Sequence, residues 1–226
     1  VTAPPSKSIA HRLLLCAGLA HGESTIENVA YSQDILATLD ALQAMGCQVT
    51  RQDSRVTLLG ADPHCAAPAD PVSCRESGST LRFFIPLFLL SGKQVTLTGQ
   101  GRLPQRPQSV YEKLCREQGL LFQQKAEFLE LQGPLHGGTF TVDGGISSQF
   151  ISGLLFALPL CKDASCLRLS GTVESRSYIN MTLQALERFG VQVSWLDEHQ
   201  LQIPGGQQYR PQKATVEGDW SNAAFL

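Results

Sequence analysis

The chain has 226 residues, 42% hydrophobic and 17% charged, with 18 Lys and Arg against 20 Asp and Glu for a formal net charge of −2. That length buries a substantial core, the composition excludes a disordered or fibrous protein, and the slightly acidic balance excludes the broad basic surface that nucleic acid demands. The longest apolar stretch, Phe83 to Leu90, contains Pro86 and is far too short for a membrane span. The seven cysteines are scattered, with no C-x-x-C pair and no His at metal-ligand spacing, which points to reduced thiols in a cytoplasmic protein and to no metal site. The chain opens on Val1 with no basic n-region or apolar h-region, as an excised or processed product does.

In chain order, Pro4 and Pro5 hold an extended entry, Ser6 or Ser8 caps the helix of "IAHRLLLCAGLA", and a short strand follows at "STIENV". A second helix ends in "ALQAMG", where Gly46 suits a left-handed cap, and a strand pair runs on to Gly60. The same series then recurs. Ser79 precedes "TLRFFIPLFLL", "QVTLTG" follows, a helix from Ser109 ends at Gly119, and a strand pair closes at Gly133. Ser148 precedes "QFISGLLFALPL", then come "SCLRLSG", a helix ending at Gly190, and a strand pair closing at Gly205. The helix-ending glycines are 73 and 71 residues apart and the strand-closing ones 73 and 72. Each unit therefore reads α-β-α-β-β, over about 5–65, 75–135 and 145–207, with a fourth opening at 217–226 in "GDWSNAAFL". A helix beginning at Ser221 cannot bury an apolar face by Leu226, so the next element is expected to lie in a longer protein.

Leu13 to Ala20, Leu81 to Leu90 and Phe150 to Leu160 are apolar on nearly every side, as interior helices are. The expected fold is an inverse α/β, barrel-like domain: three repeats around a pseudo-threefold axis, buried helices within and sheets outside. A solenoid of three modules is the alternative, and it needs polar capping repeats.

The chemistry gathers where helices begin. Lys7, Ser8 and Arg12 bring a point charge, a hydroxyl and a planar fork to a helix N-terminus that already favours anions. Gly78 and Ser79 occupy the same place in the second unit, and Ser147, Ser148 and Gln149 in the third, where paired hydroxyls suit a phosphate monoester. The loops after the short strands offer Arg102 and Arg106, and then Ser175, Arg176 and Tyr178. Taken singly, the Lys7 segment is equally an ordinary capped helix, and the S-G-S-T turn and the Arg102 and Arg106 loop read more readily as a plain cap and a solvated surface. Symmetry would make them converge on one site for a substrate with several negative charges. Glu76 and Asp34 read as salt-bridging carboxylates at helix starts more readily than as acid or base, and most of the five histidines read as surface residues.

Together S-K-S-x-x-x-R at Ser6 to Arg12, E-S-G-S-T-x-R at Glu76 to Arg82, R-P at Arg106, S-S-Q-F at Ser147 to Phe150, E-S-R-S-Y at Glu174 to Tyr178 and E-G-D-W-S at Glu217 to Ser221 resemble the 3-phosphoshikimate 1-carboxyvinyltransferases, or EPSP synthases. The resemblance implies that 1–226 is the N-terminal domain of a two-domain transferase whose C-terminal domain is missing from the sequence. It implies enolpyruvyl transfer from phosphoenolpyruvate to the 5-hydroxyl of shikimate-3-phosphate through a tetrahedral intermediate, with loss of phosphate and no cofactor. Carried over, Lys7 contacts both substrates and serves catalysis, and Ser8 and Arg12 face the shikimate carboxylate. Ser147, Ser148 and Ser175 hold the 3-phosphate, Gln149 lies on the ring, and Gly78 and Arg106 meet phosphoenolpyruvate. The sequence departs from the pattern at Pro5, Glu76 and Phe83, where many members carry Gly, Asn and Pro; the departure bears on contacts near Glu76 and on glyphosate sensitivity. Alternatives are a non-catalytic anion-binding module of the same fold and the related UDP-N-acetylglucosamine enolpyruvyl transferase, whose opening motif carries Asn in place of Ser8.

Overall fold

Six helices and twelve strands, set out as three similar units, make up the computed structural model, which describes residues 3–219. The first unit contains α1 (Lys7–Leu19), β1 (Glu23–Glu27), α2 (Gln33–Met45), β2 (Gln48–Gln52) and β3 (Arg55–Leu59). The second contains β4 (Val72–Ser73), α3 (Gly78–Leu89), β5 (Gln94–Thr98), α4 (Ser109–Gln118), β6 (Leu121–Gln124) and β7 (Phe128–Gln132). The third contains β8 (Thr139–Asp143), α5 (Ser148–Ala157), β9 (Ser165–Ser170), α6 (Arg176–Arg188), β10 (Ser194–Asp197) and β11 (Gln200–Ile203), and β12 (Lys213–Thr215) follows. The fourth opening at Ser221 lies outside the described residues.

The inner helices are α1, α3 and α5, buried on nearly every side from Ala10, Thr80 and Phe150 onward. Phe83 of α3 sits between them, 6.3 Å edge-on from the His11 ring of α1 and 5.4 Å from Phe156 of α5. The outer helices bury only a stripe: α4 turns in Tyr111, Leu114 and Cys115, and α6 turns in Ile179, Thr182, Ala185 and Leu186. Three separate four-stranded sheets, ordered β12-β1-β3-β2, β4-β5-β7-β6 and β8-β9-β11-β10, form the outside. Helices within and sheets without overturn the solenoid alternative, because the three inner helices share one core rather than stacking end to end.

Each sheet also has a strand that the α-β-α-β-β reading lacks. β4 lies parallel to β5, β8 parallel to β9, and β12 parallel to β1, with Ile26 opposite Ala214. The unit is therefore β-α-β-α-β-β, and the first unit receives its leading strand from the far end of the chain. The entry segment joins this closure: Ser6 N–H donates to the Glu217 carbonyl at 2.8 Å and Asp219 N–H to the Pro4 carbonyl at 2.6 Å.

Prolines shape two inner helices. α5 gives way to a 3-10 turn at Leu158–Leu160, which holds Pro159, so the predicted helix ends three residues early. Pro86 lies inside α3 and lacks the N–H that would reach the Arg82 carbonyl; the hydroxyl of Tyr111 donates to that carbonyl instead, at 2.6 Å. All seven thiols are free, and five of them are buried, with Cys65 exposed and Cys166 half-buried.

Candidate anion-binding site

At the start of α1, Ser6 is extended and its side chain makes no capping bond. Lys7 bonds Asp34, in the first turn of α2, at 2.6 Å, which is the salt-bridge role read for that carboxylate. Arg12 is only 4% exposed. Its Nε donates to Thr182 Oγ1 at 2.8 Å, Nη1 to the Ser8 carbonyl at 2.8 Å, and Nη2 to Ser152 Oγ at 3.3 Å and the Tyr178 carbonyl at 3.2 Å. Burial lowers its pKa to about 10, so it stays charged at neutral pH.

At the start of α3 the cap is Ser77, whose Oγ accepts from Thr80 N–H at 3.1 Å. Ser79 is thereby released, and its Oγ accepts from Gln149 Nε2 at 2.9 Å. A Cβ on Gly78 would come within 2.9 Å of Arg106 Nη1 and 3.7 Å of Gln149 Oε1, so glycine lets the Arg106 guanidinium lie against the helix start. The Arg106 loop is fastened by its own carbonyl, which accepts from Gln124 Nε2 at 2.9 Å and Gln108 Nε2 at 3.2 Å. Arg102 is exposed, and so is Glu76, whose carboxylate has no ion-pair partner among the described residues.

At the start of α5, Ser147 caps Gln149 N–H at 3.4 Å and Ser148 is 8% exposed. Gln149 Oε1 accepts from Arg82 Nη1 at 2.7 Å, and the Arg82 guanidinium sits 4.5 Å over the Phe150 ring. The Arg82 Nε is buried without a partner, and burial lowers the pKa of this arginine, with nearby Arg106 lowering it further. At the start of α6, Ser175 makes no capping bond with its side chain; Arg176 stacks 4.3 Å from the Trp195 ring and Tyr178 is 46% exposed.

The structure thus joins the starts of α3 and α5 directly, through Gln149 between Ser79 and Arg82, and brings Arg106 against Gly78. It joins α1 to α6 through Arg12, and α1 to α2 through Lys7 and Asp34. The loop before Ser175 is tied to the turn before α5, where Glu174 N–H donates to the Gly144 carbonyl at 3.4 Å. Arg12, Arg82 and Arg106 have no carboxylate within ion-pair distance among the described residues. Uncompensated cations, free helix-start N–H groups and uncommitted hydroxyls make a field that attracts anions even in a protein of net charge −2. The E-S-G-S-T-x-R motif ends on Arg82 without disclosing a role for it; this arginine stands four residues after Gly78, one turn into α3, as Arg12 stands four after Ser8, one turn into α1. His11 is buried rather than on the surface, with Nδ1 2.8 Å from Thr38 Oγ1 and Nε2 unpartnered.

A groove of about 760 Å³ lies apart from these helix starts, along the C-terminal half of α6, between Leu183 and Arg210. It opens because Pro204 has no N–H to extend the strand ladder; the Gln207 amide bonds both backbone groups of Gln192 in its place, at 2.7 and 2.8 Å. Among the described residues no three His, Cys, Asp or Glu side chains gather as metal ligands, and no helix is long and apolar enough to cross a membrane.

Fold and side-chain arrangement together define a pseudo-threefold α/β domain whose candidate anion site is built on helix starts. The chain belongs to the EPSP synthase (3-phosphoshikimate 1-carboxyvinyltransferase) family, whose pattern it matches over residues 1–226. It is 41% identical over 227 residues to the 3-phosphoshikimate 1-carboxyvinyltransferase of Clostridium perfringens and 40% identical over 234 residues to that of Clostridium beijerinckii, matching 100% of this chain and 54% of each relative. Two solved structures of Acinetobacter baumannii EPSP synthase share its fold, with TM-scores of 0.86 and 0.87 at 24% identity, over 100% of this chain and 51% of theirs. The chain thus spans about half the length of these relatives.

Proposed function

We propose that this chain forms the shikimate-3-phosphate side of an enolpyruvyl transferase site and, with a second domain, moves the enolpyruvyl group from phosphoenolpyruvate to the 5-hydroxyl with release of phosphate. The observation that carries this reading is the Ser79–Gln149–Arg82 tie with Arg106 seated on Gly78, which presents hydroxyls, amides and unpaired guanidinium groups at two adjoining helix starts.

In this reading Ser147, Ser148 and Ser175 hold the 3-phosphate and Gln149 lies on the ring. Gly78 and Arg106 receive phosphoenolpyruvate, while Lys7 reaches both substrates by exchanging Asp34 for them. Ser8 faces the shikimate carboxylate, and Arg12 supports that contact from beneath, since its charge is buried without a carboxylate. These groups bind and orient, and Lys7 serves catalysis by holding developing negative charge on the reacting atoms. Proton transfer and closure over the substrates are assigned to the half of the relatives that this chain does not match. A cytoplasmic location fits its free thiols.

The chain is expected to bind shikimate-3-phosphate weakly and not to turn over. Calorimetric titration with shikimate-3-phosphate and, separately, a UDP-sugar checks it, with Lys7→Ala losing about 1.5 to 3 kcal/mol of the first. Preference for the UDP-sugar would favour the UDP-N-acetylglucosamine enolpyruvyl transferase reading, product formation by the chain alone would overturn the division of labour, and unchanged affinity in Lys7→Ala would remove Lys7 from the site.

A further inference from the structure

The outer helices share a feature that the anion site does not use. Thr38, Tyr111 and Thr182 each stand eight positions before the glycine that ends or follows their helix, Gly46, Gly119 and Gly190, and each is 0% exposed. Every one of these hydroxyls bridges the inner helix of its own unit to the inner helix of the next. Thr38 Oγ1 lies 2.8 Å from His11 Nδ1 on α1 and 2.8 Å from Thr80 Oγ1 on α3. Tyr111 donates to the Arg82 carbonyl of α3 at 2.6 Å and lies 3.3 Å from the Phe150 carbonyl of α5. Thr182 Oγ1 lies 2.8 Å from Ser152 Oγ on α5 and accepts from Arg12 Nε on α1 at 2.8 Å, which closes the circle.

The neighbours of these bridges are arranged around them. Pro86 leaves the Arg82 carbonyl open for Tyr111, and a Cβ on Gly153 would collide with the Tyr111 hydroxyl and that carbonyl. Thr80 passes the first bridge on to Ser77 Oγ, the cap of α3, at 2.8 Å. All the inner-helix atoms involved belong to residues no more than four positions beyond Ser8, Ser79 or Ser148. Apolar packing alone is non-directional and lets a helix turn or slide slightly at little cost, whereas a buried hydroxyl demands its partner at a set distance and angle.

We propose that Thr38, Tyr111 and Thr182 are positioning residues: a pseudo-threefold ring of buried hydroxyls that fixes the rotation and height of the three inner-helix starts and so sets the affinity of the anion site. This rests on the site reading above, but its test has an arm that does not. Thr38→Val, Tyr111→Phe and Thr182→Val remove one bridge each at nearly constant volume, and Thr38→Ser and Thr182→Ser restore the hydroxyl. Each variant is titrated with shikimate-3-phosphate well below its melting temperature, and backbone amide shifts are recorded without ligand.

The expected result is about ten-fold weaker binding for each bridge-deleting variant and recovery to within about two-fold for the serine variants. Without ligand, Thr38→Val is expected to shift the amides of Ser8 and Ser79, and Thr182→Val those of Ser8 and Ser148. Lower melting temperatures with unchanged affinity, and shifts confined to residues touching the substituted side chain, would reduce the ring to ordinary core hydrogen bonds. If the parent chain does not bind shikimate-3-phosphate, the functional reading fails and the ligand-free shifts alone decide the ring. Where Thr182→Val does not fold, Tyr111→Phe and Thr182→Ser decide it.

Discussion

His11 shows how one residue couples the site to stability. Its ring lies against Phe83, and burial lowers its pKa from 6.5 to about 3, with Asp34 pulling upward and Arg12 and Lys7 pushing further down. The imidazole is therefore neutral in the folded chain. In the bonded series Thr80 donates to Ser77 and Thr38 to Thr80, which leaves His11 Nδ1–H as the donor to Thr38 and Nε2 as the bare nitrogen. Because the folded pKa is below the unfolded one, the unfolded chain takes up the proton first. The contribution is complete above pH 6.5 and is lost as pH falls from there toward about 3, at about 1.4 kcal/mol per pH unit. His11→Asn keeps a partner for Thr38 and has nothing to titrate, so its urea midpoint is expected to fall less than the parent's between pH 7 and pH 4.5. Equal falls would mean that the buried imidazole does not govern acid sensitivity, since the carboxylates are common to both proteins.

At the scale of elements, the glycines show what a sequence discloses and what it hides. Gly46, Gly119 and Gly190 were legible as helix ends, and all three have positive φ, at 113°, 69° and 79°. Gly60, Gly133 and Gly205 were equally legible by spacing, but they serve close packing rather than a turn, since a Cβ on any of them would run into a carbonyl: Ala20 or Leu89 at the end of α1 or α3, or Asp163 in the turn between α5 and β9. Beside them Ala61, Leu135 and Gly206 N–H groups donate to carbonyls of Gly18, Leu89 and Cys161 at 2.9, 2.9 and 2.7 Å. Each strand pair is thus pinned to the helix it covers. Gly60→Ala, Gly133→Ala and Gly205→Ala are each expected to cost about 1–3 kcal/mol or more by overpacking, against within about 0.5 kcal/mol for Gly138→Ala, where nothing lies within 4 Å. Denaturant melts check this, and a neutral Gly133→Ala would show that the strand end can lift off. The short leading strand β4 and the pairing of β12 with β1 escaped the sequence, because two residues carry no period and Thr25 meets Lys213 only through the whole fold. Likewise S-G-S cannot say which serine caps α3; the structure assigns Ser77 and frees Ser79 for Gln149.

For the whole molecule, the consequence of a shared interior is cooperativity. A solenoid divides its core among neighbours, so damage to one repeat stays near it. Here α1 packs against both α2 and α6, α3 against α2 and α5, and α5 against α6. The first sheet is completed by β12, from beyond the third unit. No unit can open without exposing the faces of the other two, and the ring of hydroxyls would lose a bridge at two of its three junctions whenever an inner helix left. Leu14, 0% exposed in α1, tests this. Leu14→Ala is expected to cost about 2–5 kcal/mol through lost burial and the cavity it leaves. In native-state hydrogen exchange that loss should lower the opening free energy of β9 and β11, in the third unit, by nearly as much as that of β1 and β3. The third unit is the informative place to look, because its sheet shares no strand with the sheet of the first. If protection fell in the first unit alone, the units would be independent bodies, and the convergence of their helix starts would have to be maintained by ligand rather than by the fold.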